Sequence, residues 1–425
     1  MLDPRSLEKR RDEIAEACER RGVVVDLDGA IAAQKRVASL QTGLGELNHR
    51  KNEHQADARR KLAAEEREAQ IAEGRRLKQE GARIEAELAR AECELESRLV
   101  AIPNLVHPES PKGGEADFRE LRRVGEPRRF DFAARDHLAI GAALDLVDFE
   151  GGARVAGQKW YFLRREAVLL DLALQRFALE TAMRAGFVPH TTPDVARRQI
   201  VDGLAFAPRG EETQIYSLAG TDLDLIGTAE ITLGGLYCDQ VLDSAQLPVR
   251  MVGLSHCFRT EAGAAGKESR GLYRVHQFTK VELFAITRPE ESEALHDELL
   301  GIEEGIFQAL EIPYRVIEIA AGDLGAPAYR KFDIEAWMPG RGEAGEYGEV
   351  TSTSNCTDYQ ARRLRIRFRR DDAKRTELVH TLNGTAIAVP RGLIALLENH
   401  QRADGSVAIP AALRPYAGFD CIGPR

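Results

Sequence analysis

Apolar residues recur at helical spacing through the first hundred positions of the chain. Steps of four and three residues dominate in two runs, Val37, Leu40, Leu44 and Leu47, and then Leu77, Gly81, Ile84, Leu88, Ala91, Leu95 and Ile102. Such steps are typical of the apolar seam of a coiled coil. We therefore predict two long helices within residues 31–100 that pair as an antiparallel hairpin. Each helix of roughly 30 residues would extend ~45 Å, so the hairpin should project as an arm.

The same segment lacks the residues of an ordinary packed core. No Phe, Trp or Tyr occurs before Phe118, whereas prolines and glycines cluster between Pro103 and Arg128. Such a cluster indicates a linker. We predict an N-terminal domain at residues 1–110, which carries the hairpin, and a second domain at residues 111–425.

Positive charge is concentrated on the first helix of the predicted hairpin and on its tip. Residues 31–61 contain seven Lys or Arg residues against three acidic ones. Those nearest the tip are Arg50, Lys51, Arg59, Arg60 and Lys61. Taken alone, the pattern favours a solvated coiled-coil face over a contact with nucleic acid. An arm of this length nevertheless suits a contact with a large polyanion.

In the second domain the pattern changes to alternating strands with helices between them. Period-two alternation dominates 250–290 and predicts further strands at 312–319, 347–370 and 378–389, with a short strand near Phe187 before a break at Thr192 and Pro193. Helical periodicity covers 166–184 and 290–310, and a last helix begins near Arg391. Consecutive strands with inserted helices predict an α+β fold, with an antiparallel sheet flanked by helices.

Composition and charge exclude several classes of protein. With 43% hydrophobic residues, 30% charged residues and a net charge of -9, the chain is typical of a globular protein and lacks bulk basic charge. Its six cysteines form no CxxC pair and its histidines show no ligand spacing, so we expect a reducing compartment and no protein-bound zinc. No apolar run is long enough for a membrane span and no transit peptide is evident, which favours the cytoplasm over the mitochondrial matrix.

Candidate chemistry is concentrated in two neighbouring predicted strands. Alternation places two groups of residues each on a single face, namely Arg259 with Glu261, and Arg274 with His276, Phe278, Lys280 and Glu282. A buried face with arginine, an aromatic ring and carboxylates needs a polar ligand, because unpaired buried charge costs several kcal/mol. Arginine suits phosphate, and a Phe ring can stack on a purine. For His276 we expect a structural hydrogen bond.

These segments resemble a known family. FRTEAG and RGLYRVHQFTKVE, within residues 258–282, resemble motif 2 of the class II aminoacyl-tRNA synthetases in its seryl-tRNA synthetase form. NGTAIAVPRGLIALLENHQ at 383–401 resembles motif 3. TAE at 228–230 and GEVTSTSNCTDYQARR at 348–363 are similar to the serine-site and magnesium-site segments of that family. With the predicted arm, the resemblance covers nearly the whole chain and points to the bacterial and mitochondrial branch.

The resemblance implies a binding site for ATP and Mg2+. Arg259 and Arg391 would be catalytic, at the α-phosphate and the γ-phosphate respectively. The full set implied for ATP is Arg259, Thr260, Glu261, Arg274, Val275, Phe278, Glu349, Val350, Thr351, Ser352 and Arg391. Glu349 and Ser352 match ligands of Mg2+. Because strict alternation would place these two on opposite faces of a strand, we expect a bend or bulge near Val350.

The resemblance also implies a pocket for L-serine. Its residues are Thr228, Ala229, Glu230, Glu282, Asn383 and Thr385. Alternation would put Thr228 and Glu230 on one strand face, and Asn383 and Thr385 on another. Glu230 would contact the ammonium group of serine, while Glu282 and Thr385 would contact its hydroxyl. Alanine would leave these polar groups unpaired and would be rejected.

The implied activity is that of a serine–tRNA ligase. The serine carboxylate would attack the α-phosphorus of ATP, and the 3' end of tRNA(Ser), with tRNA(Sec) as a second possible acceptor, would then take the seryl group. The tRNA would bind the arm, and Pro193, which corresponds to the motif 1 proline, implies a homodimer. Three alternatives stay open: a paralogue that loads a carrier protein, a non-catalytic relative, and a specialised paralogue that still charges serine.

Overall fold

The chain folds into two units, Met1–Leu105 and Val106–Arg425. The computed structural model describes residues 1–57, 64–206, 214–262, 271–371 and 373–424. In these residues no helix combines the length and the apolar character that crossing a membrane requires. The division predicted from sequence, after residue 110, falls just inside the second unit.

The first unit is helical. Its helices are α1 (Arg11–Arg20), α2 (Leu27–Asp57) and α3 (Ala64–Ala101). The predicted seam is buried between α2 and α3 at Val37, Leu47, Leu77, Ala91 and Leu95. Arg36 pairs with Glu87, and Arg50 lies 3.9 Å from Glu73, so α2 and α3 run antiparallel. The predicted coiled-coil hairpin is confirmed.

The second unit is built on an eight-stranded sheet. The strands of this unit are β1 (Arg119–Val124), β2 (Val147–Asp148), β3 (Phe162–Leu163), β4 (Val188–Thr191), β5 (Val195–Arg197), β6 (Leu223–Leu225), β7 (Val241–Asp243), β8 (Val249–Phe258), β9 (Gln277–Thr287), β10 (Tyr314–Glu318), β11 (Arg330–Met338), β12 (Glu346–Asn355), β13 (Arg367–Arg369), β14 (Thr376–Leu378), β15 (His380–Ala388), β16 (Val407–Ala408) and β17 (Cys421–Ile422). The large sheet has the order β1-β10-β11-β12-β15-β9-β8-β4. Its neighbouring strands are antiparallel except β4 and β8, which are parallel. The predicted α+β class is confirmed.

Helices flank this sheet. They are α4 (His137–Ala143), α5 (Phe149–Ala156), α6 (Glu166–Arg184), α7 (Arg198–Leu204), α8 (Ala229–Gly235), α9 (Ser292–Ala309), α10 (Tyr359–Leu364), α11 (Val389–Asn399) and α12 (Arg414–Ala417). The central strand β9 has core on both faces, because Leu283 and Ala285 join the cluster that includes Leu174 of α6, whereas Phe284 joins the cluster that includes Leu233 of α8. The face that carries Phe284 is also the face of Phe278, Lys280 and Glu282.

Two predicted segments differ from the fold. The predicted linker at 103–128 contains β1, whose Arg122 is hydrogen-bonded to Glu304, so a charged stretch there forms an edge strand. The predicted strand run 347–370 is interrupted, because β12 ends at Asn355 and α10 follows. The alternation of arginines at 363–369 therefore describes a strand only in β13.

The strand β11 has no counterpart among the predicted elements. Its sequence alternates charged with apolar residues, as in an exposed strand, yet Lys331 lines an internal cavity and Asp333 is only 4% exposed. Lys331 pairs with the buried Asp333 at 3.1 Å, so these two charged residues are not in open water. Alternation of apolar and polar residues distinguishes only a buried face from a solvent-exposed face, so it does not predict a strand with buried charged residues.

Candidate active site

One cavity of about 620 Å³ brings the candidate residues together. Its lining includes Thr228, Glu230, Arg259, Glu261, Arg274, Val275, Phe278, Glu282, Glu349, Val350, Thr351, Ser352, Asn383, Thr385 and Arg391. Of the residues proposed for ATP and serine, Thr260 and Ala229 are not in the described lining, and Ala229 is wholly buried. Segments far apart in the chain therefore meet in a single site.

The strand-face arguments for two pairs of these residues are wrong in detail. β8 ends at Phe258, so Arg259 and Glu261 lie after the strand, and Glu261 has a φ of 51°. Thr228 and Glu230 are not in a strand either. Thr228 is the N-cap of α8, and its hydroxyl accepts a hydrogen bond of 3.2 Å from the backbone N–H of Glu230. A capping hydroxyl followed by a first-turn acid is a normal helix start.

The face predicted for the strand that follows is only partly correct. β9 begins at Gln277, so Arg274 precedes the strand, whereas Phe278, Lys280 and Glu282 all line the cavity as alternation requires. The guanidinium of Arg274 lies 3.6 Å from the carboxylate of Glu261.

Arg259 lies between two aromatic rings. Its guanidinium carbon is 5.3 Å from the ring centre of Phe278 and 5.6 Å from that of Phe206. Its Nε donates to the carbonyl of Gly227 at 3.3 Å. On the backbone, its carbonyl oxygen is 2.9 Å from Nδ1 of His276, whose ring nitrogen is also 3.0 Å from the hydroxyl of Tyr216. His276 thus makes the structural contact that was expected, and it fixes the turn that carries Arg259.

Arg391, in the first turn of α11, is held by Glu349 and Tyr273. Its Nη1 donates to the carbonyl of Glu349 at 3.1 Å and lies 3.2 Å from Oε2 of the same residue. The ring of Tyr273 lies 4.6 Å from the guanidinium carbon, and the Tyr273 hydroxyl donates to the carbonyl of Glu349 at 3.1 Å. Burial raises the pKa of Glu349, but the charges of Arg391 and Lys331 outweigh it and hold that pKa well below its usual value.

The irregularity expected near Val350 is present. Ile334 of β11 pairs with Thr351, and the next residue, Glu335, pairs with Glu349, so Val350 has no partner on β11. One extra residue in a strand changes the alternation of all that follow it. Glu349 and Ser352 can therefore both line the cavity, which a regular strand would forbid.

The cavity lining also includes two buried carboxylates, Glu230 and Glu282. Glu230 Oε1 accepts hydrogen bonds from Nε2 of Gln360 at 2.6 Å and from Nδ2 of Asn383 at 2.9 Å. Glu282 Oε2 lies 2.6 Å from the ammonium of Lys280 and accepts from the hydroxyl of Thr385 at 3.2 Å. Burial, and next the negative charge of Glu282, raise the pKa of Glu230 to about 7. Burial likewise raises the pKa of Glu282.

Several residues of this site were assigned no part in it by the sequence, among them Lys280, Tyr273 and Gln360. Lys280 lies on the strand face predicted to line the site. A lysine between two candidate ligand-binding residues, Phe278 and Glu282, could therefore have been predicted as part of the site. Tyr273 and Gln360 could not have been predicted in this way, because their contacts join residues more than 70 positions apart.

The structure describes two of the five basic residues named near the tip of the hairpin, Arg50 and Lys51. Arg50 is within 3.9 Å of both Glu73 and Glu80 of α3, so part of its charge is compensated. Lys51 follows it on α2. Arg59, Arg60 and Lys61 lie outside the described residues.

Comparisons with known proteins agree along the whole chain. The family model described as the seryl-tRNA synthetase N-terminal domain matches residues 1–106, and that of the tRNA synthetase class II core domain (G, H, P, S and T) matches residues 216–400. The serine–tRNA ligase of Rhodopirellula baltica is 52% identical over 423 residues, 99% of each chain. That of Rubrobacter xylanophilus is 53% identical over 425 residues, 100% of this chain and 99% of its own.

Solved structures give the same result. The seryl-tRNA synthetase from Pyrococcus horikoshii, complexed with ATP, superposes with a TM-score of 0.91 at 36% identity and covers 100% of both chains. The cytoplasmic serine–tRNA ligase from Naegleria fowleri, in complex with AMP, superposes with a TM-score of 0.84 at 31% identity, over 100% of this chain and 99% of that one.

Proposed function

The chain belongs to the seryl-tRNA synthetase family of class II aminoacyl-tRNA synthetases, and from this premise we propose how its residues carry out the reaction. It is a serine–tRNA ligase, which uses ATP to join serine to tRNA. The observation that carries the proposal is a single cavity lined by Arg259, Arg274 and Arg391, here called the arginine end, and by the buried carboxylates of Glu230 and Glu282, here called the carboxylate end.

The arginine end would bind the triphosphate and the adenine. Arg259 would neutralise the α-phosphate and Arg391 the γ-phosphate, because an arginine fork is always charged and bonds two oxygens at once. Phe278 would stack on the adenine, and Glu261 would accept from its amino group. The remaining residues proposed for ATP are Thr260, Arg274, Val275, Glu349, Val350, Thr351 and Ser352. Of these, Thr351 already donates its hydroxyl to Glu303 at 2.9 Å, so its backbone is the part available to ATP.

A magnesium ion fits the same end. Glu349 and Ser352 both line the cavity and offer hard oxygen ligands, and the buried Asp333 pairs with Ser352 across the strands. The described residues contain no cluster of three or more His, Cys, Asp or Glu that would hold a metal alone. Two protein oxygens suit Mg2+, which usually takes its other ligands from phosphates and water. The ion would supply charge neutralisation on the phosphates.

The carboxylate end would bind serine. Glu230 would pair with the ammonium group, while Glu282 and Thr385 would bond the hydroxyl, with Thr228, Ala229 and Asn383 completing the pocket. The carboxylate of serine would then face the arginine end and attack the α-phosphorus in line. No side-chain nucleophile is needed, because Arg259 and Arg391 stabilise the charge that develops as pyrophosphate leaves. In the second step, the terminal ribose hydroxyl of tRNA would attack the carbonyl carbon of seryl-adenylate, the bond to the phosphate would break, and AMP would leave.

The α2–α3 hairpin would bind tRNA(Ser), through Arg50, Lys51, Arg59, Arg60 and Lys61, and the same arm would admit tRNA(Sec). A homodimer is supported by the outer face of α6, where Val168, Leu169 and Leu172 are between 41% and 55% exposed. An apolar strip of this kind is typical of a protein interface. We place the enzyme in the cytoplasm.

Transfer of labelled serine to total bacterial tRNA, with ATP and magnesium, tests the proposal. Serine should be transferred, and alanine and threonine should not. Serine-dependent pyrophosphate exchange without transfer would retain the activation site and overturn the choice of acceptor. Absence of both reactions from a folded protein would overturn the assignment of the cavity.

A further inference from the structure

Gln360 of α10 lies behind the serine end of the cavity and is completely buried. Its Nε2 donates to Glu230 at 2.6 Å and to the carbonyl of Leu204 at 3.1 Å. Its Oε1 accepts from the hydroxyl of Thr381 at 2.7 Å. These partners fix the orientation of the amide, because a flipped amide would set its oxygen against two acceptors. Gln360 must therefore face Glu230 as a donor.

The two side-chain hydrogen bonds described for Glu230 end on the same oxygen. Gln360 donates to Oε1 from α10, and Asn383 donates to Oε1 from β15. A carboxylate oxygen accepts two such bonds comfortably. The arrangement fixes the rotation of the carboxylate and leaves Oε2 as the oxygen for a cationic ligand.

The charge of Glu230 depends on these donors. The groups that face it are Glu282 and Lys280 of β9, Asn383 of β15 and Gln360 of α10. Burial and Glu282 raise its pKa, whereas Gln360, Lys280 and Asn383 lower it. The nearby cation, Lys280, lies 2.6 Å from Glu282 and is paired with it. Hydrogen bonds from the neutral amides of Gln360 and Asn383 therefore supply much of the stabilisation of ionised Glu230.

We propose that Gln360 is a positioning residue for serine, which holds Glu230 so that Oε2 meets the ammonium group of the amino acid. The inference rests on the assignment of Glu230 to that ammonium group. Gln360 itself does not touch the substrate, so its effect should fall on serine binding and not on ATP binding.

Gln360→Met tests this inference, because methionine has a similar length and no donor. In serine-dependent ATP–pyrophosphate exchange, we expect KM for serine to rise about tenfold or more, as for loss of a hydrogen bond to a charged group. KM for ATP should stay within about twofold. Gln240→Met is the matched control, since Gln240 is an exposed glutamine whose described side-chain hydrogen bond is to the carbonyl of Leu236.

The pH dependence of kcat/KM for serine distinguishes a positioning role of Gln360 from a role in supporting the fold. Ionised Glu230 binds serine, so kcat/KM for serine should rise with pH as Glu230 loses its proton, near pH 7 in the unaltered enzyme. Loss of the hydrogen bond from Gln360 raises the pKa of Glu230 further. The acid limb, which is the part of the profile where kcat/KM for serine rises with pH, should therefore move to higher pH. Equal changes in both KM values with an unmoved acid limb would show that Gln360 only supports the fold.

Two more variants keep the result interpretable. If Gln360→Met does not fold, Thr381→Val removes the hydroxyl that fixes the amide, and it should shift KM for serine and the acid limb in the same direction by a smaller factor. An unchanged serine KM and acid limb in Thr381→Val would then overturn the inference. Glu230→Gln tests the underlying assignment: if it leaves serine binding intact, the proposed serine pocket is wrong. If it abolishes serine binding while Gln360→Met behaves as the unaltered enzyme, only the role of Gln360 is wrong.

Discussion

Replacement of Arg259 by alanine should nearly abolish formation of seryl-adenylate. The guanidinium of Arg259 is fixed before substrate arrives, by Gly227 on one side and by the rings of Phe206 and Phe278. A charge that is already in place stabilises the transition state without first reorganising its surroundings. The effect should therefore fall on kcat for activation.

The expected size follows from this geometry. Loss of one preorganised donor at a developing negative charge typically costs about 2.7–4 kcal/mol, and Arg259 offers a charged fork, so the loss should be about 3 kcal/mol or more. That corresponds to at least about a 150-fold fall in rate. Arg259→Lys keeps the charge but not the planar group that lies between two rings, so it should fall between alanine and the native residue.

The measurement is single-turnover adenylate formation, together with serine-dependent ATP–pyrophosphate exchange and a thermal midpoint. Arg365→Ala is the control, because it removes an exposed arginine that is hydrogen-bonded to Asp239 through two of its nitrogens. The control should keep its rate. A folded Arg259→Ala enzyme within about tenfold of the native rate would refute the role given to this arginine.

Three further outcomes follow from the same geometry. Glu349→Gln should raise the Mg2+ concentration needed for half-maximal exchange by about tenfold, with serine KM unchanged, because an amide is a weaker magnesium ligand than a carboxylate. An unchanged magnesium titration would contradict the assignment of Glu349 as a magnesium ligand. Tyr273→Leu should raise KM for ATP about tenfold, since it removes the ring and the hydroxyl that hold Arg391 and Glu349, whereas Tyr273→Phe should recover part of the loss. Deletion of residues 35–95 should leave the rate of pyrophosphate exchange within about threefold of the native rate. It should lower tRNA charging by about a hundredfold or more, because contacts with tRNA phosphates would be lost. An equal loss of both activities would mean that the hairpin supports the fold.

The elements that the sequence predicts well are long and strongly periodic. The α2–α3 seam, α6 and α9 each bury one regular set of positions, and β8 and β9 are strands of ten and eleven residues, so the sequence reveals all of them without the fold. The helices α4, α7, α8 and α10 have six or seven residues each, which is too short for periodicity to stand out. The strand run predicted at 347–370 also covered the residues of α10.

The residues of the site also fall into those that the sequence reveals and those that only the structure reveals. The residues proposed to contact ligands lie within contiguous motifs, and the bulge at Val350 could be expected because two proposed magnesium ligands conflicted with strand alternation. Gln360 and Tyr273 act through partners in distant segments, so only the folded structure reveals them. Gln360 and Glu230, for example, are 130 positions apart.

The partners of the two buried carboxylates support the division of labour proposed for them. Glu282 has a cation, Lys280, at 2.6 Å, so its charge is largely compensated and it suits a neutral hydroxyl. Glu230 is held by two neutral amides, which orient a carboxylate but do not cancel its charge. A buried carboxylate without a cation of its own is costly until a cation arrives, and the ammonium group of an amino acid is such a cation. Because burial and the negative charge of Glu282 raise the pKa of Glu230 to about 7, we expect serine binding near neutral pH to release protons from Glu230.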